Sequence, residues 1–368
     1  MAITCPACNK KVFNESKQAR NQVYCTPTCR KRQHRIKKRA QNLSIRMQHR
    51  EDNLLLNDEM RYVVAQCKYA GTVQILSDHT LESLVRTMEL IRNRPAGHVH
   101  LCHVAPVKGN QFIGLFHYRN LYYGGDYQNN IFRNSHAGGG LYIGVEDLDP
   151  VWAVGGDTPN KEVLRLIKEF LGGVLTNYIK SCSVRKSKRV KIARKIMESD
   201  NQPTMDELLD LSFNELSDRY KAATRRPLYK PAKRDESKFL AYMDSLTRFI
   251  ELDIERSAMF KQLRGLMVIA YMALERIEAS DTFNKEFYVK YEPLVKIKYG
   301  QVMLKNENNW SRFKDLVYEA AFMGLQGCDI NIRKLRKKIM SYLHFPEKAW
   351  RVIASPWQCK MMYQNSLD

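Results

Sequence analysis

Residues 97–121 read GHVHLCHVAPVKGNQFIGLFHYRNL, and this stretch differs in character from the segments on either side of it. Its first residues alternate and are partly β-branched, which predicts a short strand near residues 98–104. Glycines then follow at short intervals, and histidines concentrate between positions 98 and 136: His98, His100, His103, His117 and His136. A polar, histidine-rich loop segment between helices is a typical place for a binding or catalytic site.

The flanking segments are predicted to be helical. Before the stretch, Ser77 or Asp78 can cap a helix that Pro95 and Gly97 end, and its apolar positions recur at helical spacing: Leu81, Leu84, Val85, Met88 and Ile91. From about residue 160 onward the pattern is almost wholly helical, with a weak point at Gly172 and Gly173. The sequence therefore predicts an α+β chain that is mainly helical.

Changes in composition divide the chain into five parts. Residues 1–40 form a cysteine module with a basic helix, and residues 41–150 join a helical lead-in to the histidine-rich segment. Residues 151–222 are helical and basic, and residues 223–235 are predicted to be a linker because they contain prolines and many basic residues. Residues 236–368 form a helical C-terminal domain to which the pattern assigns no function.

The charge of the chain favours polyanionic partners. Its 368 residues carry 60 lysines and arginines against 39 aspartates and glutamates, a formal net charge of +21. Such an excess attracts nucleic acid first and anionic membrane second. No apolar run is long enough to span a membrane, and residues 1–12 do not resemble a signal peptide. We therefore expect a DNA-binding protein of the cytoplasm or nucleoid, in a bacterium or a host cell, with RNA as a possible partner and no membrane.

Four of the nine cysteines lie in the first 29 residues, as the pairs Cys5–Cys8 and Cys25–Cys29. Two close pairs on separate turns supply the four soft ligands of a tetrahedral Zn²⁺ site. The intervening segment has few apolar residues, so its folding would depend on the metal. The alternative, four free buried thiols, fits poorly with so polar a segment.

The second cysteine pair runs directly into basic residues. Residues 24–35 resemble the short treble-clef and zinc-ribbon fingers whose last cysteine pair opens a basic helix. Phosphate contact by that helix is the functional interpretation, and a solvated basic face or a protein-binding module are the alternatives. The predicted nucleic-acid contacts in this run and in the basic stretch 185–195 are Arg30, Lys31, Arg32, Arg35, Lys37, Lys38, Arg185, Lys186, Lys188 and Arg189.

The order of residues in 97–136 resembles the HNH endonuclease family, and its phage-type members in particular. A histidine at a strand end is followed by a proline, a glycine, a Gly-Leu pair and an Asn-Leu pair. The resemblance implies a ββα-metal fold, in which two strands and a helix surround one divalent cation, and phosphodiester hydrolysis on DNA. By that resemblance, His103 matches the general base and Asn120 matches the asparagine that ties the loop to the strand.

The metal-ligand positions of the family match this sequence less closely than the position of the general base does. Asn129, Asn130 or His136 can fill the late ligand position, but the position before the base holds Cys102, where the family usually has Asp or His. His100 shares the predicted strand face with Cys102 and can replace that ligand. A thiol binds magnesium poorly, so the cation is Mg²⁺, Mn²⁺ or a softer ion.

Other interpretations of the histidine segment remain open at the level of sequence. The histidines can form a structural zinc site with Cys102, or they can be ordinary core and surface residues. The leading hypothesis is a zinc-finger HNH-type endonuclease of a phage or mobile element. The rival is a non-catalytic DNA-binding regulator or replication protein with a degenerate HNH fold, and the sequence leaves the oligomeric state open.

Overall fold

The structure is a computed structural model, and it describes residues 2–13, 23–182, 184, 187–200, 202–228, 238–274, 285–298 and 301–345. The described residues are mainly helical and have a few short strands, as the sequence predicts. Among them, no helix combines the length and the apolar character that crossing a membrane requires.

The N-terminal half begins with a small hairpin and ends with the central β-β-α unit. Strands β1 and β2 pair, and α1 to α3 precede the central strands. The bounds are β1 Ala2–Thr4, β2 Lys11–Phe13, α1 Pro27–Asp52, α2 Asp58–Ala70, α3 Leu81–Arg92, β3 Val99–His103, β4 Phe112–Gly114, β5 Leu121–Gly125, α4 Asp126–Phe132 and β6 Tyr142–Gly144.

The described residues after 150 form helices joined by loops, with one short strand pair. Their elements are α5 Asn160–Leu171, α6 Gly173–Ser181, α7 Lys188–Ser199, α8 Met205–Asp210, α9 Phe213–Thr224, α10 Lys238–Leu252, α11 Ser257–Leu274, α12 Lys285–Tyr291, β7 Met303–Leu304, α13 Trp310–Leu325, α14 Ile332–Tyr342 and β8 Leu343–His344. The weak point predicted at Gly172 is a break between α5 and α6. The predicted linker begins inside α9, and residues 229–235 lie outside the described residues.

Helix α3 follows its apolar pattern but begins later than the sequence suggests. Thr80, and not Ser77 or Asp78, is its N-cap: the Thr80 side chain accepts the N–H of Ser83, and the Ser83 hydroxyl accepts the N–H of Thr80. This reciprocal pair satisfies two donors that a helix start otherwise leaves unpaired. The helix then ends at Arg92, before Pro95, as predicted.

The central sheet has two strands, and each face packs on a different core. Strands β3 and β5 are antiparallel, with Leu101 opposite Tyr123 and Cys102 opposite Tyr122. Leu101 and Tyr123 join the core of α2, α3, α5 and α6, whereas Cys102 and Tyr122 join the core of α10, α11 and α13. Because successive side chains of a strand point to opposite faces, one short sheet connects both halves of the chain.

The outer edge of β5 is capped by side chains of α10. The Ser245 hydroxyl accepts the N–H of Tyr123 at 2.9 Å and donates to the Tyr123 carbonyl at 3.1 Å. The Tyr242 hydroxyl accepts the N–H of Gly125 at 2.8 Å, and the Arg248 guanidinium donates to the carbonyl of Leu121. Helix α10 therefore takes the place of a third strand. The C-terminal part, which the sequence assigns to a separate domain, completes the central sheet.

Replacing Ser245 by alanine tests this edge. Ser245→Ala removes the hydroxyl that bonds both the N–H and the carbonyl of Tyr123, and we expect the free energy of unfolding to fall by about 1–3 kcal/mol. Amide hydrogen exchange of β5 should accelerate with it. Glu251→Ala, at an exposed position of the same helix, is the matched control and should change neither quantity. Equal stability of the two variants in urea unfolding would contradict the capping role.

Candidate functional site

Four cysteine sulfurs meet at the N-terminus. Cys5 and Cys8 lie on the turn between β1 and β2, and Cys25 and Cys29 lie at the start of α1. The four Sγ atoms all lie within 4.8 Å of one another, with 3.3 Å between Cys8 and Cys25 and 3.4 Å between Cys25 and Cys29. Zn–S bonds of about 2.3 Å place the sulfurs of a tetrahedral site about 3.8 Å apart. The four cysteines therefore lie close enough to hold one metal ion.

Local backbone structure brings each pair together. In the first pair, the N–H of Asn9 donates to the Cys5 carbonyl at 2.9 Å, and Asn9 adopts a left-handed φ of 58°. In the second pair, the Thr26 side chain caps α1 by accepting the N–H of Cys29 at 3.1 Å. Cys29 thus lies in the first turn of a long helix, and the position of its sulfur follows the start of that helix.

The thiols influence one another. A hydrogen bond from the backbone N–H of Cys25 lowers the pKa of Cys5 to about 6. Hydrogen bonds with the thiols of Cys8 and Cys29 raise the pKa of Cys25 to about 12. The raised pKa of Cys25 means that its thiol stays protonated without a cation, and metal binding would displace that proton.

The second candidate site is an open cavity of about 530 Å³ beside β3 and α4. Its polar lining consists mainly of arginines, histidines and asparagines, and none of the described lining residues is acidic. These side chains are Arg94, Arg133, His100, His103, Asn129, Asn130 and Asn134. A concave surface with cations and amide donors and no carboxylate attracts an anionic group such as a phosphate.

His103 lies at the end of β3, in the wall of this cavity. Its Nε2 is enclosed and has no hydrogen-bond partner among the described residues. Burial lowers the pKa of His103 to about 4 because it removes water from the charged form. The imidazole is therefore neutral at neutral pH. The Gln326 side chain donates to its carbonyl at 2.7 Å and fixes the strand end.

His100 and Asn129 meet at the junction of β3 and α4. Both line the cavity, and the Asn129 amide lies 3.5 Å from Nδ1 of His100. Of the late ligand positions considered from the sequence, Asn129 and Asn130 reach the cavity. His136 does not line it: its Nε2 lies 2.9 Å from the Gly139 carbonyl, and its ring packs on Phe112 at 4.7 Å.

Cys102 is a core residue. Its side chain is 2% exposed and its Sγ lies 3.7 Å from the His100 carbonyl, and burial raises the pKa of the thiol far above its ordinary value. Of the predicted second metal site, Cys102 and Asn129 both line the cavity, whereas His136 does not. Within the described ranges, the four cysteines at the N-terminus are the one group of three or more Cys, His, Asp or Glu side chains placed to hold a metal.

Of the ligands predicted from the sequence, the side chains left for a catalytic cation are those of His100, Asn129 and Asn130. An imidazole and an amide suit a borderline ion such as Zn²⁺ or Ni²⁺, whereas Mg²⁺ prefers carboxylate oxygens. Asp126, the first residue of α4, does not line the cavity, and its carboxylate pairs with His98 at 2.7 Å and Lys238 at 3.0 Å. The imidazole and amide donors of the cavity therefore suit part of the coordination shell of a softer cation, whereas they do not suit a bound Mg²⁺.

Asn120 is fully enclosed and holds the loop between β3 and β5. Its side-chain oxygen accepts the N–H groups of Ala105 and Leu141 at 2.8 and 3.2 Å. Its amide group donates to the carbonyls of Ala105 and Leu115 at 3.0 and 2.8 Å. Four hydrogen bonds use its capacity completely, so Asn120 positions the loop and does not reach a ligand.

The predicted nucleic-acid contacts fall into three groups. Arg185 and Lys186 lie outside the described residues. Arg189 turns inward and donates to the carbonyls of Leu209 and Leu211, so it ties α7 to α8 and the segment after it. The remaining contacts are exposed, six on α1 and one at the start of α7: Arg30, Lys31, Arg32, Arg35, Lys37, Lys38 and Lys188.

Several side chains of the site escaped the sequence analysis. Arg94 and Arg133 carry no local signal, because they reach the cavity from the end of α3 and the end of α4. The α10 side chains that cap β5 are also distant in sequence. Their helical spacing indicates only that one face of α10 is buried.

Comparison with known proteins adds nothing to this assignment, since no protein-family model, curated protein or solved structure matches the chain.

Two histidine side chains lie next to each other near the loop between β3 and β5. The rings of His79 and His117 lie 4.9 Å apart, and Nε2 of His79 lies 3.0 Å from the Phe116 carbonyl. Burial lowers the pKa of His79 to about 4 and that of His117 to about 3. Neither ring takes up a proton readily in the folded chain.

Removing the metal from the cysteine cluster should unfold the N-terminal module. We expect one metal ion per chain by elemental analysis. Cys25→Ser should lose the ion and make residues 2–13 and 23–40 sensitive to protease, because a small metal-bound module depends on its ion to fold. Cys182→Ser, which lies outside the cluster, is the control. A metal-free chain whose N-terminus resists protease would contradict the assignment.

The histidine pair predicts a loss of stability in mild acid. In the unfolded chain both residues titrate near 6.5, whereas in the folded chain they stay neutral down to about pH 4. The unfolded state therefore binds more protons below pH 6.5. The free energy of unfolding should decrease as the pH falls from 7 to 5, by about 1 kcal/mol per pH unit for each histidine.

The check is urea unfolding at pH 7, 6 and 5. In the double variant His79→Gln/His117→Gln, the free energy of unfolding should depend less on pH than in the wild type. His34→Gln, at an exposed position of α1, should follow the wild type. If the double variant has the same pH slope as the wild type, the buried pair does not cause the effect.

Proposed function

We propose that the chain is a DNA-binding phosphodiesterase of HNH type, inside the cell, with a zinc-bound finger that holds DNA and a central cavity that receives the scissile phosphate. One observation carries the proposal. A strand, a loop, a second strand and a short helix follow one another, and His103, His100 and Asn129 from this unit line one cavity without acidic side chains.

The finger supplies the first part of the function. Four thiolates in a tetrahedron select a soft ion, and the distances between the sulfurs suit Zn²⁺. The Zn²⁺ would be structural, since four protein ligands leave no open position for substrate. Its role is to hold Cys29 and thereby the start of the basic helix α1.

The cavity supplies the second part. Arg94 and Arg133 neutralise phosphate charge, and His103, neutral at neutral pH, accepts a proton from the attacking water. The new bond joins the water oxygen to phosphorus, the phosphorus–oxygen bond of the leaving group breaks, and the leaving oxygen takes a proton from solvent. A cation bound by His100 and Asn129 would stabilise charge on the phosphate oxygens.

A second candidate function rests on Cys102. Since that thiol is enclosed and none of the described residues that line the cavity is acidic, the unit offers no hard ligand of the kind that its resemblance implies among those residues. This favours a regulator or replication protein that binds DNA through the same surfaces and does not cut it. The two candidates differ in one observable, the metal-dependent breakage of a phosphodiester bond.

Nicking of supercoiled plasmid tests the proposal. We expect the wild type to nick with Ni²⁺, Zn²⁺ or Mn²⁺ better than with Mg²⁺. His103→Ala should lower the rate by about 10²–10⁴-fold without weakening DNA binding, because it removes the base alone. His98→Ala, which removes a nearby histidine outside the cavity, is the matched control and should cut normally.

Two outcomes would contradict the nuclease. One is equal cutting by His103→Ala and the wild type. The other is absence of cutting by the wild type with every cation, on supercoiled, branched and single-stranded DNA. In the second case the DNA-binding candidate replaces it.

A further inference from the structure

Helix α1 is exposed along most of its length. It extends from Pro27 to Asp52 and has no buried residue. Its C-terminal end is anchored where the Arg50 guanidinium donates to the carbonyls of Ile179 and Lys180 at 2.8 and 3.1 Å. The exposed part from residue 27 to residue 46 is about 30 Å long at 1.5 Å per residue.

Nearly all charged side chains of this helix are basic. No aspartate or glutamate occurs between residues 27 and 50, and seven basic side chains lie between Arg30 and Arg39. A helix that is merely solvated normally alternates acidic and basic residues four apart, which stabilises it. Here like charges repel along the helix. A polyanion relieves that repulsion.

The two sides of α1 differ. On one side of the helix, three residues are partly buried: Cys29, Gln33 and Met47. Their spacing of four and fourteen residues places them on one face of the helix. The exposed residues on the same face are Ile36, Ala40 and Leu43. The metal cluster lies behind this face at one end, and the core that Met47 contacts lies behind it at the other. The opposite side faces away from the rest of the protein.

The basic side chains cover all of that opposite side. At 100° per residue, the seven residues from Arg30 to Arg39 spread over an arc of about 220°. A helix that lies on a single phosphate backbone needs basic residues along one narrow stripe. An arc wider than a half-circle fits a helix with phosphates on both of its flanks.

We propose that α1 inserts into the major groove of duplex DNA, with its two basic edges on the two opposite phosphate backbones. The major groove of B-form DNA is about 12 Å wide and admits one α-helix. The deep, narrow major groove of duplex RNA does not. The inference rests on the nucleic-acid binding of the proposed function and is independent of cleavage.

Two charge-neutralising variants test the two edges separately. Arg30→Gln/Lys37→Gln changes one edge of the arc, and Arg32→Gln/Arg39→Gln changes the other. Lys161→Gln/Lys221→Gln, exposed lysines of α5 and α9, is the charge-matched control. The measurement is fluorescence anisotropy of the full metal-loaded chain with a 20-base-pair duplex at several salt concentrations.

We expect each edge variant to reduce the slope of log K against log salt by about 2, since each removes two phosphate contacts. The control should keep the wild-type slope. A reduction at only one edge would overturn insertion in favour of one-sided contact. No reduction at either edge would remove α1 from the interface.

The choice of groove and of nucleic acid is tested with the same wild-type protein. Duplex DNA methylated at guanine N7, a major-groove atom, should bind at least threefold more weakly, and a minor-groove ligand should not compete. Duplex RNA of the same sequence should bind at least tenfold more weakly than DNA. Equal affinity for RNA, or displacement by the minor-groove ligand, would overturn the proposal.

These outcomes are separable from those of the proposed function. If the chain binds DNA as described but never cuts, the inference stands and the nuclease fails. If it binds no nucleic acid at all, both fail. Both edge variants retain the metal ligands and the anchored end of α1, so a folded variant should still bind its metal. A variant that has lost its metal is therefore recognised as unfolded.

Discussion

The hydrogen bonds between α10 and the edge of β5 determine how the centre of the molecule is built. A two-stranded sheet is marginal by itself in water, because one edge of each strand remains unpaired. Ser245, Tyr242 and Arg248 satisfy the free edge of β5 with side chains. The Arg248 guanidinium is so enclosed that burial lowers its pKa to about 10. Helix α10 is thereby fixed against the sheet, and both sheet faces can be buried.

This arrangement also determines which side chains of β3 remain available. Cys102 lines the cavity beside His100 and His103, but its side chain joins the core that α10 helps to form and is 2% exposed. The same sheet thus leaves the thiol largely enclosed and keeps the two imidazoles in the cavity wall. Arginines and asparagines are also among the described lining residues, so the cavity attracts anions and offers a cation mainly nitrogen and amide ligands.

Much of the local structure could be predicted from the sequence. The cysteine spacing predicts the metal-binding cluster, the apolar period predicts α3, and alternation predicts β3, because each of these signals depends on neighbours within a few residues. The capping residue of α3 was misplaced because Ser77, Asp78 and Thr80 are all good caps, and only the side-chain bond of Thr80 to Ser83 decides among them.

The parts that depend on distant contacts were not predictable in the same way. The burial of Cys102 requires α10 and α13, more than a hundred residues away, and nothing near position 102 indicates it. Arg189 looks like one more cation of a basic stretch, yet it bonds to carbonyls of the segment at 209–211. His136 has the right spacing for a ligand, but its ring packs on Phe112, in the strand that pairs with β6.

If the finger holds DNA while the cavity receives the scissile phosphate, one DNA duplex must reach both α1 and the cavity of His103. Hydrogen exchange of the full chain, with and without a saturating duplex of about 30 base pairs, tests it most directly. The account predicts added protection in two places, residues 27–46 and the cavity segments 99–107 and 126–134. Protection at α1 with no change around the cavity would contradict it, because the phosphate would then never reach His103.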